Sequence, residues 1–143
     1  PNLGRLGQRE PETYGSTTLP GLENALVEQG KALGADVAFF QSNHEGAIID
    51  RIEKAAKAGI SGCVINPGGL THTSVALMDA IIGNAIPTIE VHISQIHRRE
   101  DFRNHTMTGR ACVAVITGLG VKGYEYALDY LCRCVDGGGR HPA

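Results

Sequence analysis

A chain of 143 residues fits one domain with one sizeable core. Its 42% hydrophobic and 20% charged residues are the proportions of an ordinary globular protein. A formal net charge of -2, without any run of Lys or Arg, excludes a nucleic-acid surface held by bulk charge, and no stretch is apolar for long enough to cross a membrane.

The opening residues, PNLGRLGQREPETYG, read as a polar, glycine-rich loop. A parallel sheet is not expected to begin on a loop, so a short apolar strand is expected ahead of Pro1. Leu22, Ala25, Leu26 and Leu33 then recur at helical spacing, Gly34 breaks the pattern, and Val37-Ala38-Phe39-Phe40 reads as a strand. Ile48, Ile49, Ile52, Ala55 and Ala56 make a second helical stripe that ends near Gly59. Cys63-Val64-Ile65 is a short buried strand closed by the turn Asn66-Pro67-Gly68-Gly69. A third helix carries Val75, Leu77, Met78, Ile81 and Ile82, with Ser74 as its cap, and Pro87 precedes the strand Thr88-Ile89-Glu90-Val91. Residues 111–116 read as a strand and 123–134 as a final helix. From Val135 on, with Gly137-Gly138-Gly139, a disordered tail is expected, which leaves a single domain over residues 1–134.

Strands alternating with helices predict an α/β fold, a central parallel sheet covered by helices on both faces. Ligands bind such sheets beyond the carboxyl ends of the strands. The segments after Phe40, Ile65, Val91 and Ile116 are therefore where chemistry is expected.

Several classes drop out. There is no G-x-x-x-x-G-K-[ST] loop, no complete G-x-G-x-x-G opening a helix, and no G-x-S-x-G elbow, so neither nucleotide binding nor serine hydrolysis is supported. Cys132 and Cys134 stand two apart on a helix and point in different directions, and His92 and His97 have no zinc-site neighbours, so no metal is expected. Cys63 and Cys112 sit in runs that read as buried strands. Buried thiols and the absence of an opening signal-peptide pattern together predict a cytoplasmic protein.

Polar residues crowd three of the expected strand ends: FQSNHEG from Phe40, INPGGLTHTS from Ile65, and EVHISQIHRREDFRNH from Glu90, with Arg9 and Tyr14 added by the opening loop. Each has a bland reading alone: a turn at Asn66, a satisfied histidine at His92, a solvated pair at Arg98 and Arg99, an exposed acid at Asp79. Their convergence on one sheet edge changes the weighing. Glu90 and His92 flank Val91 on a strand, so their side chains share a face. A carboxylate beside an imidazole favours its charged form and fixes its tautomer, which suits a general acid. With Asn66 at the neighbouring strand end, this fits elimination of a hydroxyl.

PNLGRLGQREPETYG, FQSNHEG, INPGGLTHTSVAL and EVHISQIHRREDFR stand in the order found in type II 3-dehydroquinate dehydratases, and the chain resembles that family from residue 1 to about 131. The resemblance implies a flavodoxin-like three-layer sandwich, no cofactor, a homo-oligomer (a dodecamer of four trimers), and dehydration of 3-dehydroquinate to 3-dehydroshikimate in the shikimate pathway of aromatic amino-acid biosynthesis. By that resemblance Tyr14 is the base, Arg9 its loop companion and Arg99 a second arginine facing it. His92 oriented by Glu90 is the acid, with Asn66 beside it, and Asn2 holds a water against the enolate oxygen. Ser94 and the backbone of Ile93 cradle the carboxylate, Arg103 and His72 hold ring hydroxyls, and Asp79 reaches in from a neighbouring subunit. Gly4-Arg5 and Gly69-Leu70 depart from the family's usual Asn-Leu and Ala-Tyr, which bears on loop packing. Two alternatives stay open: the same reaction in quinate breakdown, and a catalytically silent flavodoxin-like binding protein.

Overall fold

A computed structural model describes residues 1–7 and 17–136. Five helices and three strands follow in chain order, joined by short 3-10 turns: α1 (Leu19–Ala32), α2 (Glu45–Lys57), β1 (Cys63–Ile65), the single turn α3 (Leu70–Thr73), α4 (Val75–Asn84), β2 (Thr88–His92), β3 (Ala114–Thr117) and α5 (Lys122–Asp136). The strands lie in the order β1-β2-β3, all parallel, with Ile65 beside Glu90 and His92 beside Thr117.

Local signals explain the helix starts. Thr18 caps α1 by accepting from the Gly21 N–H, and Ser74 caps α4 by accepting from Leu77. α2 carries Glu45 in its first turn and Lys54 and Lys57 in its last, each matched to the helix dipole. Gly30 sits inside α1, where glycine ordinarily costs about 0.5–1 kcal/mol. Close packing requires it, since a Cβ there would stand 2.5 Å from Val37 Cγ2 and 2.9 Å from the Ala35 carbonyl oxygen.

The sheet is sandwiched. On one face Ile89 and Val91 pack with Leu22 and Leu26 of α1 and with Ala127 and Leu131 of α5. A second cluster joins Ile52 of α2 to Leu77 and Ile81 of α4, with Ile65 of β1 against it. Strand β2 is buried along its whole length, as the central strand of a covered parallel sheet must be. The α/β class expected from the alternation, and the flavodoxin-like form of it implied by the resemblance, is the fold observed.

Four expectations need correction. Residues 37–40 form no strand: a strand exists only where its backbone finds a ladder partner, and among the described residues these pair with none. Val37 and Phe39 instead share with β1, Leu26 and Ile52 an apolar cavity of about 590 Å³, and Phe40 is 51% exposed. The strand expected over 111–116 begins only at Ala114, because a 3-10 turn occupies Thr108–Ala111, so Cys112 is not in a strand. All four cysteines are thiols but partly exposed, and burial pushes Cys63 up to about 11 and Cys112 to about 12. The last helix runs two residues beyond Cys134, to Asp136.

Candidate active site

Strand β2 ends at His92, and the chain then turns away across the sheet edge. Two backbone bonds and one side chain fix that turn. Gly118 N–H donates to the His92 carbonyl at 3.2 Å, Gly120 N–H donates to the Ile93 carbonyl at 3.0 Å, and Thr117 Oγ1 donates to the Ser94 carbonyl at 3.0 Å. Gly118 has φ +85°, and a Cβ on it would approach Gln95 Cβ to 3.1 Å, so glycine is needed there twice over. Ile93 and Ser94 are thus held by β3 and the turn that follows it.

The pairing of Glu90 with His92 follows from the two-residue repeat of the strand. His92 Nε2 lies 2.7 Å from Glu90 Oε1, with both side chains inside the protein, Glu90 completely. Since the carboxylate accepts, Nε2 carries the proton, and Nδ1 is the ring nitrogen left for pocket chemistry. Thr71 Oγ1 and Thr108 Oγ1 donate to the two oxygens of Glu90, each at 2.5 Å. Burial pushes the Glu90 carboxyl up, but the bonds from His92, Thr108 and Thr71 outweigh it and hold the group below the usual carboxylate range. A carboxyl depressed on folding stabilises the protein above its unfolded value, near 4.5, and that stability is lost as pH falls through the lower folded value. Thermal melts should therefore show wild type ahead of Glu90→Gln at neutral pH, with the gap narrowing in acid. A gap that stays constant through acid would mean that Glu90 is not charged in the fold.

Around this pair lies a polar pocket of about 350 Å³. It is lined by Asn2, Arg5, Asn66, Gly68, Gly69, His72, His92, Ile93, Ser94, Arg99 and Arg103. The 590 Å³ cavity is larger but mainly apolar, and His92, paired with Glu90, and the arginines Arg5, Arg99 and Arg103 line the smaller one, so the chemistry belongs there. Asn66 closes the Pro67-Gly68 turn by accepting from Gly68 N–H at 3.0 Å, and its amide donates to Tyr124 Oη at 2.8 Å. One amide hydrogen of Asn66 remains beyond that bond. Burial pushes Tyr124 up to about 12, so it stays a neutral phenol and a positioning group.

His72 Nδ1 donates to the His105 carbonyl at 2.7 Å, and its ring meets Phe102 edge-on at 6.0 Å. Arg103 lies over the same Phe102 ring at 4.9 Å and donates to Glu100 at 2.7 Å. Arg99 is 3.7 Å from that carboxylate and half-exposed. Asn2 takes the left-handed conformation, φ 65°, at the start of a 3-10 turn, and Asn43 Oδ1 accepts from its N–H at 2.8 Å. The FQSNHEG segment therefore anchors Asn2 rather than lining the pocket itself.

Of the residues expected from the sequence, Asn2, Asn66, His72, His92, Ile93, Ser94, Arg99 and Arg103 come together here, and Glu90 stands directly behind His92. Asp79 does not: it is exposed on α4 and outside the pocket lining. Arg9 and Tyr14 lie outside the described residues. Four contributors were missed. Arg5, whose departure from the family pattern bears only on loop packing, lines the pocket; Thr71 carries no signal of its own inside INPGGLTHTS; and Thr108 and Tyr124 belong to no motif. Among the described residues no group of three or more His, Cys, Asp or Glu side chains is placed to hold a metal ion.

The family model for class II dehydroquinases matches residues 1–132. The chain belongs to that family. It is 55% identical over 138 residues to a Ralstonia nicotianae protein named 3-dehydroquinate dehydratase 1, covering 96% of this chain and 88% of that one. A Debaryomyces hansenii protein named catabolic 3-dehydroquinase is 52% identical, over 91% and 90% of the two chains. The crystal structure of the type II dehydroquinase from Butyrivibrio crossotus superposes with a TM-score of 0.89 at 46% identity, covering 92% of this chain and 91% of that one. Within this dehydroquinase, then, the polar pocket at the ends of β1 and β2 is the candidate active site.

Proposed function

We propose that this dehydroquinase eliminates water from 3-dehydroquinate to give 3-dehydroshikimate through an enolate. The observation that carries the reading is the His92–Glu90 pair opening on a polar pocket at the strand ends, in a chain of this family. Tyr14 takes the proton next to the ketone, with Arg9 and Arg99 favouring its anionic form. Asn2 holds a water against the enolate oxygen. His92 then gives a proton to the departing hydroxyl, so that water leaves and a conjugated enone remains. Ser94 and the Ile93 backbone hold the carboxylate, and Asn66, His72 and Arg103 the hydroxyls. Addition of 3-dehydroquinate, with a chelator present, should produce the ultraviolet absorption of the enone. A folded protein that produces none is a silent binding shell.

The biosynthetic role belongs to the same reading. Loss of the gene should make the host require aromatic amino acids; growth without them would assign the catabolic role named for the Debaryomyces relative.

The site is completed in a homo-oligomer, a dodecamer of four trimers. Val75, Asp79 and Ile82 follow i, i+4, i+7 spacing on one face of α4, and Val75 and Ile82 are 49% and 59% exposed. Exposed apolar side chains flanking a carboxylate fit a subunit contact that carries Asp79 to a neighbour's pocket. Light scattering should report the oligomer, and Asp79→Ala should lower activity; an active monomer would refute the shared site.

One more strand fits the 590 Å³ cavity. An apolar strand entering there would pair with the free edge of β1 on one side and with residues 37–40 on the other. Hydrogen exchange tests this: amides of residues 37–40 should exchange slowly in a chain carrying an apolar strand ahead of Pro1, and quickly in one lacking it. Equal exchange in both sinks the idea.

A further inference from the structure

We infer that Thr71 and Thr108 are positioning residues for the proton donor: together they hold Glu90 ionised and fixed, and through it set the tautomer and orientation of His92. The inference rests on the reading of His92 as the general acid. It starts from a satisfaction count. Glu90 is completely buried at the centre of the sheet, where an unpaired carboxylate is far too costly to persist. His92 supplies one donor, to Oε1, and among the described residues no Lys or Arg is paired with the group. The remaining donors are the hydroxyls of Thr71, to Oε1, and Thr108, to Oε2, both themselves completely buried.

Each hydroxyl has one proton, and both are spent on the carboxylate. The 3.0 Å separation of the two Thr oxygens is then the spacing that a shared carboxylate imposes. Their backbones are tied as well, since the Met107 N–H donates to the Thr71 carbonyl at 2.6 Å. Thr71 comes from the turn α3 and Thr108 from the 3-10 turn before β3, so segments on either side of β2 in sequence close on one carboxylate. A buried acid needs donors from somewhere. A cation would neutralise Glu90, whereas two neutral hydroxyls satisfy its oxygens and leave its full charge to act on His92.

The test is the pH dependence of kcat/KM for dehydration of 3-dehydroquinate in Thr71→Val and Thr108→Val, beside Thr108→Ser and His92→Ala. Valine keeps the shape and removes one donor to the anion, so the acid limb should move up by about one pH unit or more. Thr108→Ser restores the hydroxyl and should return the limb to its wild-type position. Valine variants that lose stability but keep the wild-type pH profile would overturn the inference, as would a serine variant that behaves like valine. If one valine variant does not fold, the other, beside Thr108→Ser, carries the test. His92→Ala separates the two claims: near-normal activity there removes the reading of His92, while an inactive His92→Ala beside unshifted valine profiles removes only the role of the threonines.

Discussion

Tyr14→Phe is expected to reduce kcat by about 10²–10⁴-fold, the span that one general base contributes, while the circular dichroism spectrum and the melting temperature stay as in wild type. Only a phenolic oxygen is lost, and phenylalanine keeps the ring. A tyrosine acts as a base only where its surroundings favour the phenolate. Free tyrosine titrates near 10, so a phenolate ready at neutrality needs about three units of depression, or about 4 kcal/mol. The pocket supplies cations on the scale required, with Arg5, Arg99 and Arg103 in its lining and Arg9 in the same opening segment as Tyr14. The described residues on either side of that segment lie close together, a Cβ on Gly7 standing 3.1 Å from the Thr17 carbonyl oxygen, and Arg5 and Leu6 just before it line the pocket. Activity within a few-fold of wild type would remove Tyr14 from the role of base.

His92→Ala is expected to slow loss of water by about a hundredfold or more, with the earlier proton removal left in place. The two steps separate cleanly in deuterated water. Exchange next to the ketone should continue in the variant, because Tyr14 is untouched, while enone formation becomes limiting. Removing the imidazole leaves Glu90 with its two threonine donors, so the fold keeps a satisfied carboxylate. Should exchange stop instead, without water loss becoming limiting, His92 would belong to the first step and not the second.

By itself the sequence determined the alternation of strands and helices, and with it the parallel sheet and the edge where chemistry collects. The repeat of two along Glu90-Val91-His92 places the pair on one face, and the helical stripes of Leu22 and Leu26 and of Ile48 and Ile52 mark their buried faces. Periodicity reports which side of an element is buried. It does not report which neighbour is there. Residues 37–40 have the composition of a strand, yet strand formation depends on a hydrogen-bonding partner supplied by another part of the chain, and none of the described residues pairs with them. Thr108 sits in no motif and gains its role only because a 3-10 turn carries its hydroxyl to a carboxylate eighteen residues away. Arg5 looked like a loop substitution until the fold set it in the pocket wall. Asp79, matched with the site by sequence, lies outside this chain's own pocket. Side-chain chemistry and local spacing are written along the chain, but the donors of a buried acid and the walls of a pocket are contacts between distant residues, and tertiary packing alone brings those together.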